Sequence, residues 1–268
     1  MSQYRVDLNM RMRILYIRPV AAGTRSIEMA KVLRGARREG TVVDLVSLPI
    51  GGPTHLEYHT YEGLAIGDIV RHVHAASHDY DAAVIGGFYD VGLREAREIS
   101  GQMIVTAPCE ASTSIARCLG NTFSVIVGRR KWIPRITKNI NDYGHRDAVA
   151  SVRAIGVGVN QIQSSKQTAE HLLAVGRQCV EEDRAEVLIL GCTADYGFHE
   201  QLQEKLGVPV IDPLIAGLKH AELMVETARR FGWYPSRKWG SEPPPDEEIN
   251  SWKLFKSHPP TGDFVPGD

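Results

Sequence analysis

The sequence predicts an α/β fold of two pseudosymmetric, Rossmann-like halves whose parallel sheets face each other across a central cleft. Three observations predict it. Short apolar runs alternate with helical patterns over most of the 268 residues, an internal repeat recurs at a constant offset of 105 residues, and reactive or polar side chains directly follow several apolar runs. Alternation of this kind is typical of parallel sheets that are covered by helices on both faces.

Eight apolar runs rich in β-branched residues are predicted to be strands. In chain order they are 13–19, 41–49, 81–87, 102–108, 123–128, 151–159, 185–191 and 207–212. Helices are predicted where apolar residues recur every three or four positions, at 26–38, 167–182 and 214–230. Gly40 is expected to end the first helix, and the segments 51–60 and 131–143 are expected to be loops.

The repeat predicts how the chain is divided. Two glycines and an aspartate recur after a shift of 105 residues, since Gly86, Asp90 and Gly92 fall on Gly191, Asp195 and Gly197. We infer a duplication in which 11–113, with about 217–234, forms the first half and 114–216 forms the second. The segment 235–268 holds 7 of the 14 prolines and is expected to be a semi-ordered tail on the surface or on a neighbouring subunit. Ligands of open α/β sheets bind beyond the carboxyl ends of strands, so residues that follow strands are the site candidates.

Composition narrows the expected partners. The chain is 43% hydrophobic and 24% charged, and 31 Lys and Arg against 32 Asp and Glu leave a formal charge of −1. This balance gives no reason to expect nucleic acid or an anionic membrane as a partner. No apolar run approaches the roughly 18 residues that span a bilayer, so a cytoplasmic location is expected. A small-molecule substrate is the expected partner, with homo-oligomerisation left open.

Cys192 is the leading candidate for catalysis. It follows the apolar run 187–190 and Gly191, and it precedes Thr193 and a helix expected to begin near Asp195. A helix N-terminus stabilises a thiolate, so this position predicts a lowered thiol pKa and a role as base or nucleophile. The alternative is a buried cysteine that packs behind the strand. The four cysteines contain no CxxC pair, which argues against a zinc site or a redox dithiol.

The sequence around Cys192 resembles a known family. The segment LILGCTADYGFHEQLQEKLGVPVIDPLIAGLKHAE, residues 188–222, is similar to the second half of the aspartate/glutamate racemase superfamily, most of all to its hydantoin and allantoin racemase branch. The segments 52–65, 86–98 and 105–116 resemble the corresponding parts of that branch, so the resemblance covers about 13–233. It implies two α/β halves enclosing a site that uses no cofactor and no metal.

The resemblance also implies two catalytic cysteines on opposite faces of a stereocentre, one removing a proton and the other returning it. Cys192 matches the second, and by register Gly87 occupies the position of the first. Three interpretations stay open. Another acid/base serves the empty face, with Cys109 preferred over Tyr89, Asp90 or His55. Cys192 acts alone on one face, as the resemblance to arylmalonate decarboxylase implies, or it is a nucleophile, as in the maleate isomerase branch.

Several residues are expected to bind the substrate. Arg18 stands where hydantoin racemases commonly have an amide, and its planar fork would suit a carboxylate, so an anionic substrate is one expected class. Arg129 or Arg130 would take the corresponding place in the second half, with a surface salt bridge as the alternative for any of these arginines. The full expected set is Gly87, Phe88, Thr193, Arg18, Arg129 and His55, with Thr193 and the backbone of Gly87 and Phe88 binding a developing enolate oxygen.

The predicted function is therefore that of a cofactor-independent racemase or epimerase. It would act on the proton next to a carbonyl or carboxylate of an amino-acid-like or cyclic-ureide-like compound, with Cys192 as acid/base and Cys109 or Tyr89 as its partner. An arylmalonate-decarboxylase-like lyase and a binding protein that has lost catalysis are the alternatives. Alternation of His55, Glu57 and His59 would place three ligands on one face only in an extended segment, so no metal is predicted.

Overall fold

The protein forms two mainly parallel sheets, and eight of their strands divide evenly between the first and second parts of the chain. The computed structural model describes residues 11–162 and 166–267. The first sheet contains β1 (Met12–Ala21), β2 (Thr41–Leu48), β3 (Ala82–Ile85) and β4 (Ile104–Thr106). The second contains β5 (Phe123–Val127), β6 (Val149–Ala154), β7 (Val187–Leu190) and β8 (Val210–Ile211).

The two sheets have the same topology. The first runs in the order β4-β3-β1-β2, and the second runs in the order β8-β7-β5-β6 when written in the same direction. All of these neighbouring strands are parallel. The strands β3 and β7 begin at Ala82 and Val187, which are 105 residues apart, as in the sequence repeat. The predicted α/β fold of two halves is confirmed.

Helices connect the strands and cover both faces of the sheets. They are α1 (Thr24–Ala36), α2 (His59–Ala76), α3 (Leu93–Ile99), α4 (Pro108–Leu119), α5 (Ile133–Asp142), α6 (Lys166–Glu181), α7 (His199–Leu206), α8 (Pro213–Phe231) and α9 (Asp246–Ser251). None of the helices in the described ranges has the length and apolar character needed to cross a membrane. The expected boundary between residues 113 and 114 falls within α4, which runs on without a break.

Alternate side chains of the strands enter different cores, which explains why the strands are apolar throughout. In β1, Ile14 and Tyr16 belong to one cluster of buried residues, and Leu15 and Ile17 belong to another. The first cluster is closed by apolar positions of α8 spaced by three or four residues, which are Leu214, Leu218, Ala221, Val225 and Ala228. The second cluster joins residues of both sheets, so the two halves share a continuous core.

The C-terminal segment is more ordered than expected. It contains α9 and a final strand, β9 (Asp263–Val265), which pairs antiparallel with β2 and becomes the fifth strand of the first sheet. Gly262 and Gly267 lie so close to the β2 backbone that an added Cβ would meet the carbonyl oxygens of Ser47 and Val43. The Gly267 N–H also donates to Asp44 Oδ1 at 2.8 Å. This part of the tail is built into the first half.

Two local predictions need correction. The segment predicted as a loop at 131–143 contains α5, whose buried positions Ile136, Asn139 and Ile140 face the core. Gly40 does not end α1, since the helix stops at Ala36 and Gly40, with φ of 82°, lies in the turn before β2.

Candidate active site

The candidate site lies where the carboxyl ends of strands from both halves meet. A cavity of about 90 Å³ opens there, large enough for a small molecule. It is lined by the last residues of β1 and by residues that follow β1, β2 and β3 in the first half and β5, β6 and β7 in the second. They are Arg18, Pro19, Val20, Arg25, Met29, Thr54, His55, Leu56, Glu57, Gly86, Gly87, Phe88, Tyr89, Trp132, Val159, Gly191, Cys192, Thr193 and Ala194.

Cys192 lines this cavity at the end of β7. Its backbone is extended, and it caps a short 3₁₀ turn, Thr193–Asp195, rather than an α-helix, because α7 begins only at His199. Burial raises the pKa of the Cys192 thiol well above its usual range, and the nearby Asp195 adds to this effect. A hydrogen bond from the Ala194 N–H and the positive charge of Arg25 oppose the rise. The predicted lowering of this pKa is wrong, because loss of hydration outweighs one short turn.

Thr193 links the two halves beside Cys192. Its hydroxyl donates to the Gly86 carbonyl oxygen at 3.0 Å, so the donor expected to bind an enolate is already used. The Gly87 N–H is likewise occupied, since it donates to the Ile85 carbonyl at 2.8 Å. Within the described residues, the backbone N–H groups of Phe88 and Thr193 have no protein acceptor. Both residues line the cavity, so these two groups are candidate donors for a developing oxyanion.

Gly87 leaves space on the cavity wall of the first half. A Cβ at this position would lie 3.0 Å from Pro19 Cγ and 4.0 Å from Leu56 Cδ1. The contact with Pro19 is tight, but the neighbouring atom belongs to a side chain and not to the backbone. By contrast, a Cβ at Gly86 would lie 2.2 Å from the ring of Tyr16, so only glycine fits there. The absence of a side chain at 87 is therefore a feature of the cavity, and packing alone does not demand it.

His55, Glu57 and Arg129 form a polar group at the rim of the cavity. Glu57 Oε2 lies 3.7 Å from His55 Nδ1 and 3.5 Å from Arg129 Nη1. The Glu57 carboxylate also accepts from the Val159 N–H at 3.3 Å, which ties the first half to the second. His55 lines the cavity, whereas Arg129 stands outside it with its charge balanced by Glu57.

Arg18 and Arg25 supply positive charge to the cavity. Arg18 is buried at 8% exposure, and its Nη1 donates to the Ala21 carbonyl and, at 3.5 Å, to Ser26 Oγ. Burial lowers the pKa of Arg18 to about 10, and the neighbouring charge of Arg25 contributes, so the group remains protonated near neutrality. Arg25 donates to the carbonyls of Val159 and Asn160 at 3.1 and 3.4 Å.

Two expected partners of Cys192 behave differently. Tyr89 lines the cavity and packs edge-on against Trp132 at 5.7 Å, and burial together with Cys192 raises its pKa, so the phenol stays protonated. Cys109 does not line the cavity. It is fully buried in the first turn of α4, its N–H donates to Asp90 Oδ1, and burial raises the pKa of its thiol. The geometry thus offers no route for Cys109 to a bound molecule.

The alternating residues His55, Glu57 and His59 do not converge. The His59 side chain is 77% exposed and pairs with Glu62 at 3.1 Å, away from the cavity. In the two described ranges, no group of three His, Cys, Asp or Glu residues is arranged to hold a metal ion.

Sequence reasoning missed Arg25, Glu57 as a charged lining residue, and the apolar wall formed by Met29, Leu56 and Trp132. Arg25 is the second residue of α1 and follows the end of β1 by four positions. The signal that could have identified Arg25 is its position after a strand, because the first turn of the helix that follows a strand also lies near the strand's carboxyl end.

Comparison with known proteins gives consistent matches over most of the chain. A family model described as Asp/Glu/Hydantoin racemase matches residues 14–221. A hydantoin racemase of Pseudomonas sp. (strain NS671) is 32% identical over 240 residues, which cover 85% of this chain and 93% of that protein. The solved allantoin racemase from Klebsiella pneumoniae has a TM-score of 0.81 at 25% identity, covering 93% of this chain and 100% of that one. Arylmalonate decarboxylase shares the fold, with a TM-score of 0.55 at 16% identity over 80% of this chain and 92% of that one.

Proposed function

The chain belongs to the Asp/Glu/hydantoin racemase family, and on that premise we propose that it is a cofactor-independent racemase or epimerase whose acid/base is Cys192. Its substrate would be an amino-acid-like or cyclic-ureide-like small molecule with an acidic proton next to a carbonyl or carboxylate. The observation that carries the proposal is the position of Cys192. Its sulfur-bearing side chain lines a cavity at the carboxyl ends of strands from both halves, beside two free backbone N–H donors.

The chemistry would proceed by two proton transfers at one carbon. A base takes the proton from the carbon, the C–H electron pair moves onto the carbonyl oxygen, and the Phe88 and Thr193 N–H groups stabilise the enolate charge. The Cys192 S–H then gives its proton to the opposite face of the carbon. Because burial raises the pKa of this thiol, Cys192 is protonated in the resting site and ready to act as the acid.

His55 is our candidate for the base on the other side. It lines the cavity, and its Nδ1 lies 3.7 Å from the Glu57 carboxylate. Nδ1 also accepts a hydrogen bond of 3.4 Å from the Glu57 backbone N–H, and this contact fixes the orientation of the imidazole ring in the cavity wall. His55 takes this role in preference to Cys109, which is sealed in the core, and to Tyr89, which keeps its proton.

A decarboxylase-like reaction is the second candidate, and the glycine at position 87 favours it. In this reaction the C–C bond to one carboxylate breaks, carbon dioxide leaves, and the electron pair forms an enediolate on the remaining carboxylate. Cys192 then protonates the carbon and recovers its proton from solvent. Only one acid is needed, so a wall without a side chain at Gly87 is compatible with this chemistry.

Exchange of the substrate proton in D₂O tests the proposal. The enzyme is incubated with single enantiomers of 5-substituted hydantoins and of allantoin, and with phenylmalonate, while NMR follows the proton and chiral chromatography follows the product. We expect exchange with inversion for a racemase, and carbon dioxide release with one incorporated deuteron for a lyase. Cys192→Ser should lower the rate by about 10²- to 10⁴-fold, the usual contribution of general acid–base catalysis.

The exposed Cys118 provides the matched control. Cys118→Ser removes a thiol outside the cavity and should leave the rate unchanged. Wild-type turnover by Cys192→Ser would overturn the assignment of the acid/base.

A further inference from the structure

The described residues place two arginines at the cavity and pair neither of them with a carboxylate. Arg18 and Arg25 line the cavity together, and Arg25 lowers the pKa of Arg18, so the two like charges are close enough to repel. Within residues 11–162 and 166–267, neither guanidinium has a carboxylate oxygen within 4 Å. Arg18 instead donates to the Ala21 carbonyl and Arg25 to the carbonyls of Val159 and Asn160.

Two acidic groups nearby are engaged elsewhere. Glu57 is the carboxylate of the cavity wall, and its charge is met by Arg129 at 3.5 Å. Glu28, one turn beyond Arg25 on α1, accepts a hydrogen bond of 2.6 Å from Tyr196. Arg18 is buried and Arg25 is partly buried, and holding two like charges together without a counter-charge is costly. Such an arrangement is expected where a bound anion supplies the missing charge.

We infer that Arg18 and Arg25 form a subsite for a substrate carboxylate, so that the molecule acted on is a carboxylate anion and not a neutral cyclic ureide. This inference rests on the proposed function and names its substrate class. Arg18 offers a planar fork fixed by burial, and Arg25 stands in the first turn of α1, where the helix N-terminus adds positive potential.

The subsite lies beside the reactive sulfur. The charge of Arg25 reaches the Cys192 thiol, and residues 191–194 line the same cavity as both arginines. A carboxylate held here would cancel the charge that favours a thiolate. The thiol would then stay protonated while substrate is bound, which suits an acid that must deliver a proton to carbon.

Alkylation of Cys192 by two reagents of the same shape tests the inference without knowledge of the substrate. Iodoacetate carries a carboxylate and iodoacetamide carries a neutral amide in its place. The rate ratio of iodoacetate to iodoacetamide is measured at Cys192 by peptide mass spectrometry and divided by the same ratio at the exposed Cys118. The raised thiol pKa slows both reagents alike and cancels in this quotient.

We expect a quotient of about ten or more in the wild-type protein, which corresponds to roughly 1.4 kcal/mol of preference for the anion. Arg25→Gln should bring it close to one. Lys31→Gln removes the same charge from the exposed face of α1 and should leave it unchanged. A wild-type quotient of one or less, or one that Arg25→Gln does not lower, would overturn the subsite.

If Cys192 reacts with neither reagent, anion binding is measured instead on the Cys192→Ser variant. The melting temperature of this variant is compared in malonate and in malonamide at equal ionic strength. A larger stabilisation by malonate that Arg25→Gln abolishes supports the subsite, and equal shifts refute it. Failure of the proposed function looks different. If Cys192→Ser kept wild-type turnover while the anion preference held, the proton-transfer assignment would fall and the subsite would stand.

Discussion

Gly87→Cys is the substitution that most directly probes the asymmetry of the cavity. It adds a thiol at the position related to Cys192 by the 105-residue repeat. The new Cβ would lie 3.0 Å from Pro19 Cγ, somewhat closer than ordinary van der Waals contact, and 4.0 Å from Leu56 Cδ1. The Pro19 ring must therefore shift by a few tenths of an ångström. Small overpacking of this kind costs about 1 kcal/mol, which lowers the melting temperature by roughly 2–4 °C in a chain of this size.

The expected gain is in catalysis of racemisation. A thiol at position 87 would lie on the cavity wall that now has no side chain there. One added acid/base group raises the rate by about 10²-fold. Chiral chromatography from each pure enantiomer measures the rate of interconversion. Gly87→Ala is the matched control, because it adds the same Cβ without the sulfur.

Equal racemisation rates in Gly87→Cys and Gly87→Ala would refute the reasoning. They would mean that position 87 does not face the reacting carbon, whatever the register of the repeat. A fall in melting temperature shared by both variants, with faster racemisation in the cysteine variant alone, would separate the packing effect from the chemical one.

Two further predictions concern stability. Burial raises the pKa of Asp90 to about 7, so protonation of Asp90 favours the folded state. The stability gained in this way is fully present below about pH 4, near the usual pKa of 3.8, and it is lost as the pH rises through 7. The melting temperature of Asp90→Asn should therefore fall less than that of the wild type between pH 5 and pH 7.5, and parallel curves would contradict the shift. Gly262→Ala should release β9, because its Cβ would lie 2.1 Å from the Ser47 carbonyl oxygen. Faster tryptic cleavage at Lys253 is expected, whereas Gly240→Ala, where a Cβ meets nothing within 4 Å, should cleave like the wild type.

Strands whose side chains are buried on both faces were predictable from the sequence. The strands β3 and β7 are short apolar runs whose side chains are buried on both faces, so no polar alternation obscured them. Helix α5 was predicted as a loop, although Ile133, Ile136 and Ile140 recur at helical spacing. Pro134 concealed the pattern, but it lies in the first turn, where its missing N–H has no partner to lose.

Site residues were predictable from the sequence where their position depends only on the end of a strand. Arg18, Gly87 and Cys192 all line the cavity, as expected for residues near or beyond the carboxyl ends of parallel strands. Cys109 also follows a strand, but the packing of α4 turns its thiol into the core, and the rotation of a helix about its axis depends on all of its neighbours. The pKa of Cys192 could not be inferred for a similar reason, since loss of hydration depends on the walls contributed by other segments.

The aspartates that the repeat relates, Asp90 and Asp195, make different contacts in the two halves. Asp90 spans from the loop after β3 to α4 and accepts from the N–H groups of Cys109 and Glu110 at 2.9 Å each. In the second half, the start of α8 is capped by Asp212 instead, which accepts from the Leu214 N–H at 2.9 Å. Asp195 therefore does not bind the start of the following helix, whereas Asp90 does.

Asp195 remains buried, and its Oδ1 has no hydrogen-bond partner in the part of the chain that the structure describes. Burial and the nearby Asp212 raise the pKa of Asp195 well above its usual value, and Asp195 in turn raises the pKa of Cys192. Of the two aspartates that the repeat relates, Asp90 therefore stabilises the start of a helix, and Asp195 helps to keep a thiol protonated. Under the proposed function, glycine at 87 and a thiol at 192 place the acid in one half alone, and we expect the partner base on a segment outside the repeated motif, such as the loop that carries His55.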